Sequence, residues 1–435
     1  MRRRTVSETH LVRLRLAIFI KPVKEFLIIT LASLLESGRT EVRALRQNGR
    51  GKILVAVAFP WALLLGSRMA LPVLLPYIQT EFGLSLSIVG LLVTLLWLGG
   101  AIGQLPGGML ADWYSEGLIM TFSLGLVAIS LTFVVLAPNA ATLFIAVLMW
   151  GLATSLYPIA RITILSKTYP ERLGSALGLT MATGDVGQTF IPAIAGTLAA
   201  LLIWQAGLGF VIPMLIVGGV GIWFIVPRRS RADRSTNTLS LNTAHYVVDE
   251  LRRPTMMFVS LILILFFFFW QAFTSFFPTY LVIEKGFSGT MAGILFGVFF
   301  AAGAIVKPIA GMAYDRIGMR WALISVLLGP VVGLLLLPIV ESVEMIVIVT
   351  LTISTMLGNG AVTQSFVAEQ FPPDIQGTGL GAVRTASAVV GATGPVLFGV
   401  VADYGFFNEG YVVLAVILVI VILLTYRMPH PRGSK

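Results

Sequence analysis

Five ionisable residues lie inside long apolar stretches of this 435-residue chain: Arg68, Arg161, Asp185, Lys307 and Arg384. A charged side chain at the centre of a bilayer costs about 2.5–3.5 kcal/mol on insertion scales, so each one needs a structural or functional compensation. Four of the five are basic, and a guanidinium can hold a carboxylate through two parallel hydrogen bonds. The balance therefore favours the binding of a small organic anion.

Arg68 has the most informative position of the five. It lies near the middle of its apolar stretch, too far from either end for its side chain to reach an interface easily. Pro72 lacks the N–H that would bond the Arg68 carbonyl, which predicts a bend and a free backbone acceptor beside the guanidinium. Arg68 is therefore the leading candidate for an anion clamp. The alternative is a structural hydrogen bond from the guanidinium to backbone carbonyls.

Asp185 begins a polar stripe on one helical face, because Gln188 and Thr189 follow it at i+3 and i+4. Burial disfavours a carboxylate anion, whereas a nearby guanidinium favours it, and this competition suits a group that carries a proton. Asp185 is accordingly a candidate for proton coupling. A static Asp–Arg pair or a hydrogen bond between helices would also explain it.

The remaining candidates for substrate contact are Arg161, Lys307, Arg384, Gln104 and Gln271. Arg161 and Lys307 lie close enough to one end of their stretches that their side chains could instead extend to the membrane surface. The two glutamines are candidates through the internal repeat described below, which places Gln271 opposite Arg68 and Gln104 opposite Lys307.

Residues for covalent or metal chemistry are missing from the apolar stretches. The chain has no cysteine and three histidines, His10, His245 and His430, all outside those stretches. No phosphate-binding loop, dinucleotide turn or zinc-protease motif occurs. We therefore expect neither an enzyme nor a bound metal or cofactor, and any active transport would use an ion gradient or the gradient of the substrate itself.

The elements that position these residues follow from composition. Hydrophobic residues make up 57% of the chain and charged residues 11%, with a mean hydropathy of +0.92, which argues against a soluble enzyme or nucleic-acid-binding domain. A membrane span takes about 20 apolar residues, and such a segment must be helical in lipid. Twelve are predicted, at roughly 53–79, 86–111, 117–137, 140–166, 173–201, 205–227, 255–281, 288–312, 319–340, 343–369, 376–401 and 407–427.

Charge predicts the orientation of these spans. Nearly all basic residues of the short loops share one side with both termini, whereas the opposite side carries mainly acidic residues. By the positive-inside rule both termini are cytoplasmic, in a multi-pass protein of the plasma membrane. Residues 1–52 hold twelve bases and four acids, which predicts a cytoplasmic tail that lies partly as an amphipathic helix on anionic lipid. The predicted regions are the tail 1–52, a six-helix half 53–227, a cytoplasmic linker 228–254, a second half 255–427 and a C-terminal tail 428–435.

The two halves are related by one shift of 203 residues. It superposes Gly83 on Gly286 and Ser85 on Ser288, and further glycines, prolines and acids match without a gap. Six helices per half with the same entry side make a parallel repeat about an axis along the membrane normal. None of the five intramembrane charges faces another charge under this repeat, so the repeat indicates no shared ion pair.

The repeat also aligns two loop motifs, GMLAD at 108–112 and GMAYDRIGMR at 311–320. They resemble the loop signature of the major facilitator superfamily, G-x-x-x-D-[RK]-x-G-[RK], although Trp113 stands where the first copy should have a base. The resemblance covers about 53–427. It implies an all-α fold of twelve transmembrane helices in two six-helix halves, and a monomer. It also implies a gating role for the motif residues Gly108, Asp112, Gly311, Asp315, Arg316 and Arg320.

Fold, repeat and charges together predict a secondary transporter that works by alternating access and moves a small organic anion with protons. One alternative is a proton-coupled exporter of drugs or amphiphiles, which the aromatic seventh span and a partial antiporter signature around Pro72 and Pro76 would suit. Another, from a different class, is a membrane sensor that does not transport. The expected partners are a small anionic substrate, protons and the lipid bilayer, with no nucleic acid.

Overall fold

The computed structural model describes residues 45, 50–104, 110, 114–226, 253–371 and 376–428, which form a bundle of long α-helices. The helices of the first half are α1 (Gly51–Phe82), α2 (Leu86–Ile102), α3 (Glu116–Val135), α4 (Ala140–Thr168), α5 (Leu173–Leu201) and α6 (Ala206–Ile225). Those of the second half are α7 (Pro254–Ile283), α8 and α9 (together Gly289–Leu336), α10 (Val343–Val367), α11 (Gly381–Asp403) and α12 (Phe407–Arg427). The chain leaves the helical path at Gly318, with φ 73°, and this residue separates α8 from α9.

The length and apolarity of these elements are those of membrane spans. Nine elements of the described residues meet both criteria, and one of these contains both α8 and α9. The described part of α2 is shorter, and α5, at 29 residues, carries the polar stripe of Asp185 and Gln188. The architecture is consistent with the twelve predicted spans. The predicted N-terminal tail and inter-half linker lie almost entirely outside the described residues.

The 203-residue repeat is visible in the construction of the turns. Gly83 and Gly286 both adopt positive φ angles, 62° and 68°, in the turns after α1 and α7. Two residues later, the hydroxyls of Ser85 and Ser288 accept hydrogen bonds from the backbone N–H of Ile88 (3.3 Å) and Met291 (3.2 Å) and so cap α2 and α8. Equivalent positions in the two halves therefore end one span and begin the next in the same way.

The two faces of the bundle carry opposite charge, as the sequence indicates. We call the face where α1 begins and α12 ends the basic face, and the face of Glu81, Glu284 and Asp403 the acidic face.

The halves touch through their backbones near the acidic face. A Cβ on Gly90 of α2 would lie 2.5 Å from the carbonyl oxygen of Pro395 in α11. On the other side of the bundle, a Cβ on Gly293 of α8 would lie 2.7 Å from the carbonyl oxygen of Pro192 in α5. Only glycine permits these approaches, so the bundle is closed at the acidic face.

Asp403 adds a polar contact to this closure. Its carboxylate accepts hydrogen bonds from the backbone N–H of Leu86 (2.6 Å) and Ser87 (2.8 Å), at the start of α2 in the other half. An anion at a helix N-terminus satisfies unpaired N–H groups and interacts favourably with the helix dipole. The end of α11 is thereby bound to the beginning of α2.

Glycines nearer the basic face make no such contacts. A Cβ added at Gly178 of α5, Gly311 of α8 or Gly381 of α11 would meet no atom within 4 Å. On this side the halves are joined instead by side chains, since the Thr385 hydroxyl of α11 donates a 3.2 Å hydrogen bond to Gln104 at the end of α2.

Candidate functional site

A cavity of about 290 Å³ lies between the halves. Its walls come from α1, α2 and α5 of the first half and from α7, α8, α10 and α11 of the second. Three predicted substrate residues line it: Arg68, Lys307 and Arg384. The remainder is largely apolar and aromatic, which is the usual character of a small-molecule site.

Arg68 extends from α1 toward α2, where its guanidinium carbon lies 4.3 Å from the centroid of the Trp97 ring. Gly100, also in α2, leaves room for it, since a Cβ there would be 3.0 Å from an Arg68 guanidinium nitrogen. The Nε of Arg68 is buried without a hydrogen-bond partner among the described residues. Stacking on an indole stabilises a cation without neutralising it, so the guanidinium keeps its charge for a ligand.

Lys307 and Asp185 form an ion pair across the two halves. The Lys307 Nζ lies 2.6 Å from the Asp185 Oδ1, and Gln188 donates a 3.3 Å hydrogen bond to the same oxygen. The repeat gave no sign of this pair, because the two residues are not at equivalent positions. Lys307 does not extend to the membrane surface, because its ammonium group binds the Asp185 carboxylate of α5 between the two halves.

Three other substrate candidates lie away from the cavity lining. Gln271 is 1% exposed and donates to the Ala388 carbonyl at 3.3 Å, so it joins α7 to α11. Gln104 accepts a 3.2 Å hydrogen bond from the Thr385 hydroxyl across the halves.

Arg161 is the third of these and does not reach the membrane surface either. It is 6% exposed, donates a 2.6 Å hydrogen bond to Thr180, and lies 4.1 Å above the Trp61 ring. These contacts give it a packing role inside the first half.

The structure adds polar residues that the charge-based reasoning missed. Helix α10 is interrupted by a 3₁₀ turn at Ser354–Gly358, and Asn359, Thr363 and Gln364 follow it on the cavity wall. The Asn359 side chain is 3% exposed, and its Oδ1 has no hydrogen-bond partner in the described part of the chain. The sequence signal was weak: an uncharged amide between two glycines in an apolar span.

The gating candidates divide between the two loops. Gly108 and Asp112 lie outside the described residues. Gly311, Asp315, Arg316 and Arg320 surround the break between α8 and α9 at the basic face. Asp315 and Arg316 are exposed, whereas Arg320 donates a 2.6 Å hydrogen bond to the Met428 carbonyl at the end of α12.

Comparison with known proteins agrees with this architecture. The family model of the Major Facilitator Superfamily matches residues 61–392 and 284–435. A probable nitrate/nitrite antiporter, NarK1, of Thermus thermophilus is 26% identical over 357 residues, covering 74% of this chain and 78% of its own. A cis,cis-muconate transport protein of Acinetobacter baylyi is 26% identical over 353 residues, covering 78% and 84%.

The solved structures show the same fold. A bacterial homologue of the human lysosomal transporter Spinster, in an inward-facing and occupied conformation, superposes with a TM-score of 0.74 at 17% identity and covers 87% of this chain and 96% of its own. The matched family model spans both halves, and the cavity lies between them. The chain belongs to the Major Facilitator Superfamily of membrane transporters and is not an enzyme.

Proposed function

We propose that the chain is a proton-coupled secondary transporter of a small organic anion, most simply a carboxylate. The observation that carries this proposal is the charge of the cavity: Arg68, Lys307 and Arg384 line it, and Asp185 is the only acid within bonding distance of any of them among the described residues. Two guanidinium groups are left for a ligand. An anion that enters the cavity would supply the counter-charge that these two guanidinium groups lack within the described part of the protein.

The relatives are compatible with this cargo. The Thermus protein is named for nitrate and nitrite and the Acinetobacter protein for muconate, all of which are anions. Arg68 from the first half and Arg384 from the second would hold the anion between them, so binding would draw the halves together.

Proton coupling is assigned to the Asp185–Lys307 pair. A bound anion competes with the Asp185 carboxylate for the Lys307 ammonium. Once Lys307 turns to the substrate, the Asp185 carboxylate loses its counter-ion, and we propose that a proton replaces it there. One proton would then accompany the anion, and its release from Asp185 would restore the ion pair.

The closure of the acidic face supports alternating access. With the basic face placed in the cytoplasm by the positive-inside rule, the closed face is the outer one. In the outward-open state, the Gly90–Pro395 contact and the Asp403 contact to α2 would separate. We place the working protein in the plasma membrane as a monomer.

The test of this function is a thermal-shift screen of the purified chain with monocarboxylates, dicarboxylates, sugar acids, inorganic anions and hydrophobic cations at two pH values. A ligand that binds only the folded state raises its apparent stability by mass action, by about 2.7 kcal/mol at a hundredfold excess over Kd. We expect a shift with at least one carboxylate, larger at the lower pH. Shifts only with bulky cations would reject the anion carrier and leave an exporter of the same fold.

Loss of the Asp403 contact should open the acidic face. We expect Asp403→Asn to raise the outward-open population about two- to fivefold, because a carboxylate at a helix N-terminus contributes about 0.3–1 kcal/mol. The chain has no cysteine, so Thr94→Cys can report the change. Thr94 is 7% exposed and its hydroxyl accepts a 3.3 Å hydrogen bond from the Val396 N–H across the halves.

The measurement is the rate at which Cys at position 94 reacts with a membrane-impermeant thiol reagent added from the acidic side. Glu409→Gln is the control, since Glu409 is an exposed acid in the first turn of α12 on the same face. An unchanged rate in Asp403→Asn, or an equal increase in Glu409→Gln, would contradict the assignment.

A further inference from the structure

Asn359 is a buried polar side chain that the proposed mechanism does not use. It is 3% exposed, lines the cavity directly after the 3₁₀ turn of α10, and has an amide oxygen without a partner among the described residues. A buried polar atom without a hydrogen bond destabilises the folded protein, and a bound ligand that supplies the missing hydrogen bond would offset this cost. Its position on the cavity wall favours a ligand.

The neighbours of Asn359 on α10 do not supply the missing bond. The Thr363 hydroxyl donates 2.8 Å back to the Asn359 backbone carbonyl and so does not serve the side chain. Gln364 lines the cavity one position further on, and its Nε2 would lie 3.2 Å from a Cβ placed on Gly360. Two side-chain amides therefore border the cavity within about one and a half turns of α10, and Gly360 lies between them in the sequence.

The wall that α7 and α8 contribute to the same cavity is aromatic. Phe266 and Trp270 of α7 stack at 6.5 Å with an interplanar angle of 23°, and Phe300 of α8 meets the Trp270 ring edge-on at 6.1 Å. All three rings line the cavity. Rings in this arrangement present a surface on which a planar, unsaturated ligand can stack.

From this arrangement we infer that Asn359, with Gln364, forms a subsite for a hydroxyl group, and that the substrate is a hydroxylated planar carboxylate such as a hydroxybenzoate. The inference rests on the proposed function for the carboxylate, which Arg68 and Arg384 would hold. A hydroxyl both donates and accepts, so it complements the Asn359 amide in either orientation of its oxygen and nitrogen. The rings of α7 and α8 take the apolar body, and a cavity of about 290 Å³ is large enough for one ring.

The test compares the affinities of the three hydroxybenzoate isomers, benzoate and cyclohexanecarboxylate for the purified full-length chain by calorimetry. We expect one hydroxybenzoate to bind about tenfold to a hundredfold more tightly than benzoate, because a site built for a hydroxyl is left with an unpaired polar group when that hydroxyl is missing. Cyclohexanecarboxylate, which is not planar, should bind more weakly than benzoate.

The variants locate the subsite. Asn359→Ala should reduce the affinity for the preferred hydroxybenzoate to that for benzoate while leaving benzoate affinity unchanged. Thr350→Val is the matched control in the same helix and should keep the preference, since Thr350 does not line the cavity and its buried hydroxyl donates to the Ile346 backbone carbonyl. If Asn359→Ala does not fold, Gln364→Leu tests the same subsite and should weaken the preference at least severalfold.

The outcomes separate the two proposals. Equal binding of benzoate and every hydroxybenzoate, or a preference that survives in Asn359→Ala, overturns the hydroxyl subsite while the anion carrier stands. Binding of other carboxylates but of no benzoate overturns the substrate class. If no carboxylate binds, the anion carrier falls and the subsite inference falls with it.

Discussion

Arg68→Ala should lower carboxylate affinity at least about thirtyfold while leaving the fold intact. The guanidinium is held on the Trp97 ring with its Nε unpartnered among the described residues, so its free donors are available to a ligand. Truncating one partner of a buried, hydrogen-bonded charge pair costs about 2–5 kcal/mol of binding, which is a factor of about 30 to several thousand. The measurement is the Kd of the best carboxylate from the screen, with the melting temperature of the apo protein recorded in parallel.

Stability distinguishes loss of a ligand contact from loss of packing. Arg68 is a buried cation without a carboxylate partner in the described residues, so its removal should not lower the apo melting temperature. Arg161→Ala is the matched control, because Arg161 is also a buried arginine stacked on a tryptophan but does not line the cavity. It should lower the melting temperature, because its 2.6 Å hydrogen bond to Thr180 is lost, and keep carboxylate affinity. Arg68→Ala with wild-type affinity would remove Arg68 from the site.

Arg68→Lys refines this expectation. Lysine keeps the positive charge but cannot form two parallel hydrogen bonds or stack its head on the indole as a guanidinium does. We expect an affinity between those of the wild type and Arg68→Ala. Full recovery in the lysine variant would mean that charge alone, and not bidentate geometry, holds the anion.

The fold was predictable because a bilayer constrains the sequence strongly. Runs of about 20 apolar residues must be helices, and the recurrence of Gly83 and Ser85 at Gly286 and Ser288 reveals the repeat. In the structure the two glycines adopt positive φ angles in equivalent turns, and the two serine hydroxyls cap equivalent helices. The position of the helix break at Gly318 was also predictable, since Gly318 belongs to the loop motif of the second half.

The site was predictable only where a charge marked it. Arg68, Lys307 and Arg384 stand out because charges in a membrane are costly, and all three line the cavity. Asn359 carries no charge and gave little signal. Apolar side chains cover both the lipid-facing and the packed sides of a membrane helix, so periodicity does not fix which way a helix faces.

The misplaced candidates came from the repeat. Gln271 and Gln104 were chosen because they occupy positions equivalent to Arg68 and Lys307, yet both bond to α11 instead of lining the cavity. Equivalent backbone positions do not guarantee equivalent surroundings, since the two halves carry different side chains. The Asp185–Lys307 pair was missed for the same reason, as it joins positions that the repeat does not relate.

Asp185→Asn should separate anion binding from proton coupling. Without the carboxylate, Lys307 has no competing anion at 2.6 Å, so carboxylate affinity should be unchanged or higher and should lose its dependence on pH. Uptake driven by an imposed proton gradient should fall about tenfold or more, because asparagine cannot carry the proton, while exchange of anion across the membrane continues. The measurement is uptake of labelled carboxylate into proteoliposomes with and without a pH gradient.

Three further variants decide whether the loss of gradient-driven uptake reflects the missing proton carrier or only a broken ion pair. Lys167→Gln removes another ion pair, Lys167–Glu116 at 2.7 Å, which lies within the first half at the basic face. It should leave gradient-driven uptake intact.

Lys307→Gln should lower both the stability of the protein and its affinity for the anion. Breaking a fully buried pair costs roughly 3–5 kcal/mol, and the loss of stability here should be smaller because the Lys307 and Asp185 side chains are 33% and 18% exposed. The double variant Asp185→Asn/Lys307→Gln should recover stability, since it leaves neither charge unpaired, but not gradient-driven uptake. If Asp185→Asn still accumulates the anion against its gradient, the proton travels by another group and the pair serves only to hold α5 against α8.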